Sequence, residues 1–331
     1  MYISRAPLRI SLGGGGTDLP SYYSKFGGFF ISAAINKYTY VSVSKPFFNK
    51  IILKYSKFEE VDNVHQIKNS LIKETILEYA ESPDKPIEVN SFADVPSGTG
   101  LGSSGCFTVA FLKSLAGFYK RYPSQKEIAE MACKIEIERL KEPVGKQDQY
   151  ISAFGGLNCF EINRSGEVSI NPMQISSDTL EDLESNLLLF FTGQQRSASS
   201  ILEDQDKRSA KSEKEIFDNL HKTKELGEIS FQLLKDSKLK QFALLMHEHW
   251  INKRKRSSGM SNDFLNEVYD AAIDNGALGG KLVGAGGGGF LMFYSEDKKA
   301  LRSEMNKYKL QEMKFRFDFN GVEQLINQWM L

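Results

Sequence analysis

The chain contains few cysteines, and neither sign of charge is in excess. Its 331 residues include three cysteines, Cys106, Cys133 and Cys159, whose spacing matches no metal-binding motif. An odd number of widely spaced cysteines forms no disulfide framework, so we expect reduced, mostly buried thiols in a reducing compartment. Lysine and arginine total 42, as do aspartate and glutamate, so the formal net charge is zero. No overall field would attract nucleic acid or an anionic membrane, and we expect neither as a partner.

Long apolar segments are also missing. Arg5 and Arg9 interrupt the start of the chain, and a run of glycines from Gly13 to Gly16 follows. This leaves no apolar core for a signal peptide. No other segment approaches the roughly 20 apolar residues that a membrane-spanning helix needs. We therefore expect a cytoplasmic protein.

The overall composition is that of a globular protein, with 41% hydrophobic and 25% charged residues. At 331 residues the chain is long enough for about two domains, each with its own core. The stretch 175–184 is polar and is the best candidate for a boundary. We predict an N-terminal domain over residues 1–176 and a C-terminal domain over 177–331.

Hydrophobic patterns predict a mixture of strands and helices. Runs rich in β-branched, aromatic and other apolar side chains predict strands at 6–12, 29–43, 86–92 and 187–191. Helical spacing is present at 70–79 and after Gly105, and Ser124 with Glu127 forms a capping box that opens another helix. A glycine-broken pair of strands is expected at 281–294, within a C-terminal half that is otherwise mostly helical.

The most informative segment runs from Pro96 to Gly105 and reads Pro-Ser-Gly-Thr-Gly-Leu-Gly-Ser-Ser-Gly. A predicted strand precedes it and a predicted helix follows at once. Glycine backbone lets an anion approach closely, and the first turn of a helix offers unpaired N–H groups and the positive end of its dipole. Ser103 and Ser104 add hydroxyls, one of which could ligate Mg²⁺. An ordinary glycine-rich turn is the alternative, but the strand–loop–helix order and the paired serines favour a phosphate site.

Two familiar nucleotide-binding motifs do not fit this segment. A P-loop has a lysine and then a serine or threonine after its last glycine, and none is present here. The spacing of a dinucleotide-binding fingerprint occurs formally at Gly100, Gly102 and Gly105. That motif requires an acidic residue at the end of a second strand about 20 residues later, whereas Glu127 falls inside a capped helix. The context therefore argues against a dinucleotide site.

Two further glycine-rich segments are candidates for ligand contact. Gly284 to Gly289 lies between two predicted strands, where the lack of side chains allows a ligand or another backbone to approach closely. A purely structural bend is a fair alternative. Gly13 to Asp18 ends in a carboxylate that could accept hydrogen bonds from sugar hydroxyls or could cap an ordinary turn. Taken alone, neither segment decides between its two interpretations.

Together the three segments resemble the GHMP kinases, the family of galactokinase, homoserine kinase, mevalonate kinase and phosphomevalonate kinase. That family has an N-terminal glycine-containing segment, a Pro-x-x-x-Gly-Leu-Gly/Ser-Ser-Ser phosphate loop and a C-terminal glycine-rich loop, and all three occur here in that order. Within the family, residues 14–20, 145–150 (Gly-Lys-Gln-Asp-Gln-Tyr) and 281–289 resemble the sugar 1-kinases. The resemblance implies an α+β fold, with an N-terminal domain like domain 2 of ribosomal protein S5 and a ferredoxin-like C-terminal domain. It also implies that ATP, Mg²⁺ and a sugar bind in the cleft between them.

The resemblance further implies roles for individual residues. Asp148 is expected to be the catalytic base, and Arg9 matches the family's basic residue. The expected ATP contacts are Pro96, Gly98, Gly100, Leu101, Gly102, Ser103, Ser104 and Gly105. Ser104 and Glu138 are expected to ligate Mg²⁺. The expected acceptor contacts are Gly16, Thr17, Asp18, Gly286 and Gly287, although the Gly-Glu-His sequence of galactokinase and mevalonate kinase is absent here, which leaves the contacts near Gly16 open.

The acceptor implied by the resemblance is D-glycero-D-manno-heptose 7-phosphate, phosphorylated at its anomeric hydroxyl. Arg196 follows a predicted apolar strand and could bind the existing phosphate in a bidentate manner, but it could equally form a local cap or ion pair. L-Fucose or another sugar is an alternative acceptor. A catalytically silent sensor of sugar and ATP is the alternative from another class of function. The oligomeric state is not predicted.

Two clusters, one of histidines and one of basic residues, are further candidates for a site. His247 and His249 are two residues apart, so they point to different faces of a helix and favour a packed or solvated role over a metal site. The run Lys253 to Arg256 is typical of a solvated face or a nucleic-acid patch. Because it precedes the third glycine segment, a position facing the cleft is a further alternative.

Overall fold

The computed structural model describes residues 1–194 and 214–326, which form two β-sheets with helices packed against them. The first sheet contains β1 (Tyr2–Gly13), β2 (Gly28–Ser44), β3 (Ile51–Lys54), β4 (Phe58–Val61), β5 (Ile87–Ala93), β6 (Leu157–Ile162), β7 (Val168–Pro172) and β12 (Glu323–Ile326). The second sheet contains β8 (Leu187–Phe191), β9 (Gly279–Leu282), β10 (Phe290–Tyr294) and β11 (Gln311–Met313).

The helices occur between the strands in both halves of the described chain. In chain order they are α1 (Pro20–Phe26), α2 (Ser70–Tyr79), α3 (Ser103–Phe118), α4 (Gln125–Cys133), α5 (Gln147–Phe154), α6 (Ser177–Asn186), α7 (Lys214–Lys235), α8 (Leu239–Arg254), α9 (Asp263–Asp274) and α10 (Lys298–Lys307). A π-helical turn, Lys134–Arg139, continues α4, and short 3₁₀ turns lie at Val64–Gln66 and Ser258–Met260.

The first sheet is organised around the long strand β2. On one side β2 pairs with β1 along most of its length. On the other side its first part, Gly28–Ala33, pairs with β6 and its last part, Thr39–Ser44, pairs with β5. Strand β3 lies parallel to β5, and β12 returns the chain to the free edge of β1. The sheet therefore places β1, which carries Arg9, in the interior of the first domain.

Helix α3 packs on the centre of this sheet. Ten of its 16 residues are buried, and it contacts β1, β2 and α5. A helix that is apolar on most of its faces belongs inside a core. Phe111, Leu112 and Leu115 are fully buried, and each contributes about 1.5–3 kcal/mol of transfer free energy. This packing fixes the position of the N-terminus of α3.

The second sheet has the strand order β11-β8-β10-β9, and all its pairs are antiparallel. Helices connect β8 to β9 and β10 to β11, which gives a ferredoxin-like arrangement. Its core includes the fully buried aromatic side chains Trp250, Tyr269 and Phe293. The expected α+β class and the ferredoxin-like second domain are therefore confirmed.

Most of the elements expected from sequence are present. Helix α2 covers the expected residues, and Ser124 and Glu127 form the expected capping box at the start of α4. All three cysteines are free and buried. In the ranges that the structure describes, no helix is both long and apolar enough to cross a membrane. The boundary at 176 stays a prediction: α6 begins at Ser177 and the second sheet follows it, but β12 belongs to the first sheet.

Candidate active site

A cleft of about 1140 Å³ is lined by parts of all three glycine-rich segments. Gly15 and Gly16 come from the first segment, several residues between 98 and 104 come from the second, and Gly284 comes from the third. Pockets for one drug-sized ligand typically measure about 300–1,000 Å³. The cleft is therefore slightly larger than a typical site for one ligand.

The second glycine-rich segment forms the loop between β5 and α3. Gly102, with a φ of 80°, caps the N-terminus of α3 in the left-handed conformation that glycine adopts readily. Ser103 and Ser104 begin the helix and line the cleft, so the unpaired N–H groups and the positive dipole end lie beside it. The Ser103 hydroxyl is buried and has no hydrogen-bond partner in the described chain. This arrangement fits the oxygen atoms of a bound polyphosphate.

The third glycine-rich segment supports this loop through backbone contact. A Cβ added to Gly100 would lie 2.5 Å from the carbonyl oxygen of Val283, so a side chain at Gly100 would separate the two segments. Gly284 lies against Gly100 from the other side. The sequence left open whether this segment approaches a ligand or another backbone. At Gly284 it approaches the backbone of Gly100.

Asp148 lies at the first turn of α5 and is paired with Arg9. The Arg9 Nε donates to Asp148 Oδ1 at 2.7 Å, and Arg9 Nη1 donates to the carbonyl of Gly100 at 2.5 Å. Arg9 is only 6% exposed, whereas the Asp148 side chain keeps 29% of its surface accessible. The ion pair therefore orients an accessible carboxylate at the edge of the phosphate loop, where the guanidinium also fixes the loop backbone.

Asp18 lies in the same cleft and is buried. Its Oδ1 accepts the N–H of Gly16 at 3.0 Å, and its Oδ2 accepts the N–H of Gln147 at 3.2 Å. Burial raises the pKa of Asp18, and the nearby negative charge of Asp148 raises it further. Two carboxylates therefore face the same volume, and both can accept hydrogen bonds from hydroxyl groups of a ligand.

A further carboxylate, that of Glu136, also lies beside the phosphate loop. It is 1% exposed, and it accepts hydrogen bonds from the Ser104 hydroxyl at 2.7 Å and from Gln149 Nε2 at 3.1 Å. Burial raises its pKa to about 7, against the effect of these hydrogen bonds. A hydroxyl and a carboxylate at the end of a phosphate-binding loop form the hard oxygen set that Mg²⁺ takes when phosphates and water supply its other ligands.

Glu138, the expected second ligand, is not at this position. It is exposed and is absent from the residues that line the cleft. Both glutamates belong to the π-helical turn that follows α4, and residues two apart on a helix point in different directions. The structure therefore places Glu136, and not the expected Glu138, beside Ser104. Within residues 1–194 and 214–326, no group of three or more His, Cys, Asp or Glu side chains could hold a metal on its own.

Three further cations lie in the cleft: Lys253 at the end of α8, Arg256 just after it, and Lys281 on β9. Burial is the main cause of a lowered pKa in each, and the neighbouring positive charges lower the pKa of both lysines further. The pKa of Lys281 falls to about 7 and that of Arg256 to about 10. The run Lys253 to Arg256 thus supplies two residues that face the cleft.

The remaining expected site residues differ in where the structure places them. Pro96, Gly98, Gly100 and Gly102 line the cleft, whereas Leu101 and Gly105 are buried behind it. The Thr17 hydroxyl lies within hydrogen-bonding distance of the Gly14 and Phe29 carbonyls, and Thr17 is fully buried and does not line the cleft. Gly286 and Gly287 pack against Met260 and do not line the cleft. Arg196 lies outside the described residues.

The sequence did not predict that Glu136 and Lys281 line the cleft. For Arg256 it left open whether the side chain is solvated or faces the cleft. Lys281 had one local signal, because it is a charged residue in a strand whose neighbours are apolar or glycine. The two histidines behave as expected: His247 bonds the Tyr269 hydroxyl at 2.9 Å, and buried His249 lies 3.3 Å from the Ser230 hydroxyl.

A helix N-terminus for phosphate beside an accessible, ion-paired aspartate defines a phosphotransferase site. Comparisons with known proteins agree with this class. The family profile of the GHMP kinases N terminal domain matches residues 70–156, and that of the GHMP kinases C terminal domain matches residues 230–309. The D-glycero-alpha-D-manno-heptose 7-phosphate kinase of Campylobacter jejuni is 30% identical over 99% of this chain and 98% of its own length.

Two more similar proteins extend the comparison. The crystal structure of a D-glycero-D-manno-heptose 1-phosphate kinase from Bacteroides thetaiotaomicron is 28% identical, covers 98% of this chain and 99% of its own, and superposes with a TM-score of 0.79. The bifunctional fucokinase/GDP-fucose pyrophosphorylase of Arabidopsis thaliana is 24% identical over 91% of this chain and 31% of its own length. The chain therefore belongs to the GHMP kinase family, and it is a kinase that uses ATP.

Proposed function

We propose that the chain transfers the γ-phosphoryl group of ATP to the anomeric hydroxyl of D-glycero-D-manno-heptose 7-phosphate, which gives the 1,7-bisphosphate. The observation that carries the transferase part is the position of Asp148, held by Arg9 at 2.7 Å beside the N-terminus of α3. The names of the Campylobacter jejuni and Bacteroides thetaiotaomicron relatives support a heptose phosphate as the acceptor.

On the acceptor side, Asp148 is the proposed general base. Its carboxylate remains accessible, so it can accept a hydrogen bond from the sugar hydroxyl and take its proton as the new O–P bond forms. Arg9 holds the carboxylate in place and keeps its negative charge paired until the hydroxyl arrives. Asp18 is the proposed partner for other sugar hydroxyls, because its carboxylate lines the same cleft.

On the nucleotide side, the N-terminus of α3 is proposed to bind the ATP phosphates. Phosphoryl transfer depends mostly on positioning and on neutralising charge at the phosphate oxygens, and a fixed helix N-terminus does both. Ser104 and Glu136 are the residues that would hold Mg²⁺. When bound there, Mg²⁺ would neutralise part of the phosphate charge. Because Ser104 now donates to Glu136, both groups already lie within reach of one cation.

An L-fucokinase activity is the second candidate, and the Arabidopsis thaliana relative is the observation that favours it. A sensor without catalysis is a third interpretation, from another class of function. A sensor has no need for a carboxylate base, an arginine that orients it and a paired hydroxyl and carboxylate for a cation. All of these are present in the cleft.

The test is an assay of purified protein with ATP, Mg²⁺ and a panel containing heptose 7-phosphate, the unphosphorylated heptose and L-fucose. The expected product is a bisphosphate whose new phosphate is on the anomeric carbon, which ³¹P NMR identifies through its coupling to the anomeric proton. Asp148→Asn is the control that ties turnover to this site. Turnover of L-fucose alone would replace the proposed acceptor, and ATP binding without turnover of any sugar would favour the sensor.

A further inference from the structure

Lys281 is a buried cation that the proposed mechanism does not use. It lies on β9, lines the cleft and is only 7% exposed. Within residues 1–194 and 214–326, its ammonium group makes no hydrogen bond or ion pair. Burying an ammonium group without an opposite charge is unfavourable, so such groups usually have an anionic partner or lose their proton. The position indicates that an anionic ligand completes the environment of Lys281.

Arg256 provides a second positive charge near Lys281. Helix α7 holds its guanidinium, because Nε donates to Asn219 at 2.9 Å and Nη2 donates to the Thr223 hydroxyl at 2.7 Å. Its Nη1 lies 3.3 Å from the Gly15 carbonyl oxygen. Arg256 is 3% exposed, yet it is one of the residues that line the cleft. The side chain is therefore fixed in place before any ligand arrives.

The charges that line this part of the cleft do not balance. Arg9 is paired with Asp148, and Asp18 supplies a negative charge that acts on Arg256. Lys253 donates to the carbonyls of Leu282 and Gly284, which are uncharged partners. Within the described chain, Lys281 and Lys253 thus lack a carboxylate partner. A phosphate dianion would supply the missing negative charge.

The location of the cluster favours the acceptor over the nucleotide as the source of that phosphate. Arg256 contacts the first glycine-rich segment at Gly15. Asp18 of that segment and Asp148 of α5 influence each other electrostatically and line the cleft at the proposed sugar position. Gly15 and Gly16 line the cleft near Arg256 and have no side chains that would occupy it. The nucleotide phosphates already have the N-terminus of α3 as their binding site.

We infer that Lys281 and Arg256 form an anion subsite for the phosphate that the acceptor already carries. This inference rests on the proposed function and names the residues that select a phosphorylated sugar. The ammonium group of Lys281 would bind the phosphate as a point charge, and the guanidinium of Arg256, which the protein already holds in place, would add a second fixed positive charge. The same chemistry would suit the γ-phosphate of ATP, and the experiment separates these two sources.

The experiment compares wild type with Lys281→Met, which removes the charge but keeps a side chain of similar length. For each protein, kcat/KM is measured for heptose 7-phosphate and for the unphosphorylated heptose, and KM is measured for ATP. Removing a hydrogen bond to a charged group should lower the ratio of the two kcat/KM values about 10- to 150-fold. The KM for ATP should stay close to that of wild type. Lys240→Met is the matched control, because Lys240 is an exposed surface lysine paired with Glu296.

Each outcome supports or overturns the subsite. A selective loss of the phosphorylated acceptor supports it. An unchanged ratio in a variant that still binds ATP overturns it, and so does a raised KM for ATP with an unchanged ratio, which would assign Lys281 to the nucleotide. If Lys281→Met does not fold, as judged by thermal unfolding, Lys281→Gln repeats the test with a polar side chain. A wild-type protein that phosphorylates no sugar phosphate would instead contradict the proposed function itself.

Discussion

The Ser104 hydroxyl donates a hydrogen bond to the Glu136 carboxylate at 2.7 Å, which connects the start of α3 to the π-helical turn after α4. The bond crosses 32 positions of sequence. Glu136 is buried, so a charge there needs a partner, and its two donors, the Ser104 hydroxyl and the Gln149 amide, are both uncharged. A divalent cation at this point would be close to both oxygens and to the phosphate loop.

This geometry predicts a difference between two neighbouring glutamates. Glu136→Gln should raise the Mg²⁺ concentration for half-maximal activity by about 10- to 150-fold, because a contact to a charged ligand is worth roughly 1.5–3 kcal/mol. Ser104→Ala should also raise it. Glu138→Gln is the control and should behave as wild type, since Glu138 is exposed and away from the cleft. The measurement is a Mg²⁺ titration at fixed ATP, and a shift with Glu138→Gln alone would contradict the assignment.

Asp148→Asn should lower kcat by about two to four orders of magnitude, which is the range for loss of a general base. The amide oxygen can still accept from Arg9, so the fold and the loop should be preserved. ATP affinity should change little, because the nucleotide is proposed to bind at the N-terminus of α3. Single-turnover kinetics and an ATP titration check both parts. Turnover near the wild-type rate would remove Asp148 from the catalytic role.

Gly105→Ala tests how closely Asp148 must approach the loop. A Cβ on Gly105 would lie 2.8 Å from the Cβ of Asp148, a distance too short for two carbon atoms, so Asp148 must move. A displacement of about 1 Å at a reacting group can cost roughly 100-fold in rate. We expect kcat to fall by about this factor while ATP still binds. A variant with full kcat would show that the site tolerates the shift.

Much of the fold followed from the sequence because its signals are local. The capping box of Ser124 and Glu127, the β-branched run of β2 and the glycine loop before α3 each depend on residues close together in the chain. The pairing of Arg9 with Asp148 spans 139 positions. The family resemblance gave each of these two residues a role but did not predict that they pair. Spacing alone contains no information on a contact of that range.

The sequence did not predict which side chains face the cleft where this depends on side-chain direction. Glu136 and Glu138 are two residues apart in one helical turn, and the π-helical geometry determines which of them faces Ser104. The run Lys253 to Arg256 has the composition of a solvated face, but packing against α7 turns Arg256 inward. The direction of each of these side chains depends on the folded structure around it. No local sequence pattern predicts that direction.

The buried position of Lys281 predicts how acceptor use depends on pH. Burial, with Arg9 and Arg256 nearby, lowers its pKa to about 7, so the free enzyme loses this positive charge as the pH rises through 7. Lys253, buried His249 and the carboxylates Asp18 and Asp148 also line this cleft. A phosphate monoester reaches its dianionic form above a pKa of about 6. The protonated lysine and the dianion therefore coexist best between pH 6 and pH 7, as roughly set by these two values.

We accordingly expect kcat/KM for the phosphorylated acceptor to peak between about pH 6 and 7 and to fall at higher pH, since this parameter reports the free enzyme. The total fall should be about 10- to 150-fold, as for Lys281→Met, because both changes remove the same charge. Lys281→Arg should move the alkaline limb upward, because a guanidinium stays protonated where an ammonium group does not. The unphosphorylated heptose should lack the alkaline limb, because its binding needs no cation at this subsite. The measurement is the full pH profile of both proteins with both acceptors. An alkaline limb that is identical in wild type and Lys281→Arg would show that another group titrates there.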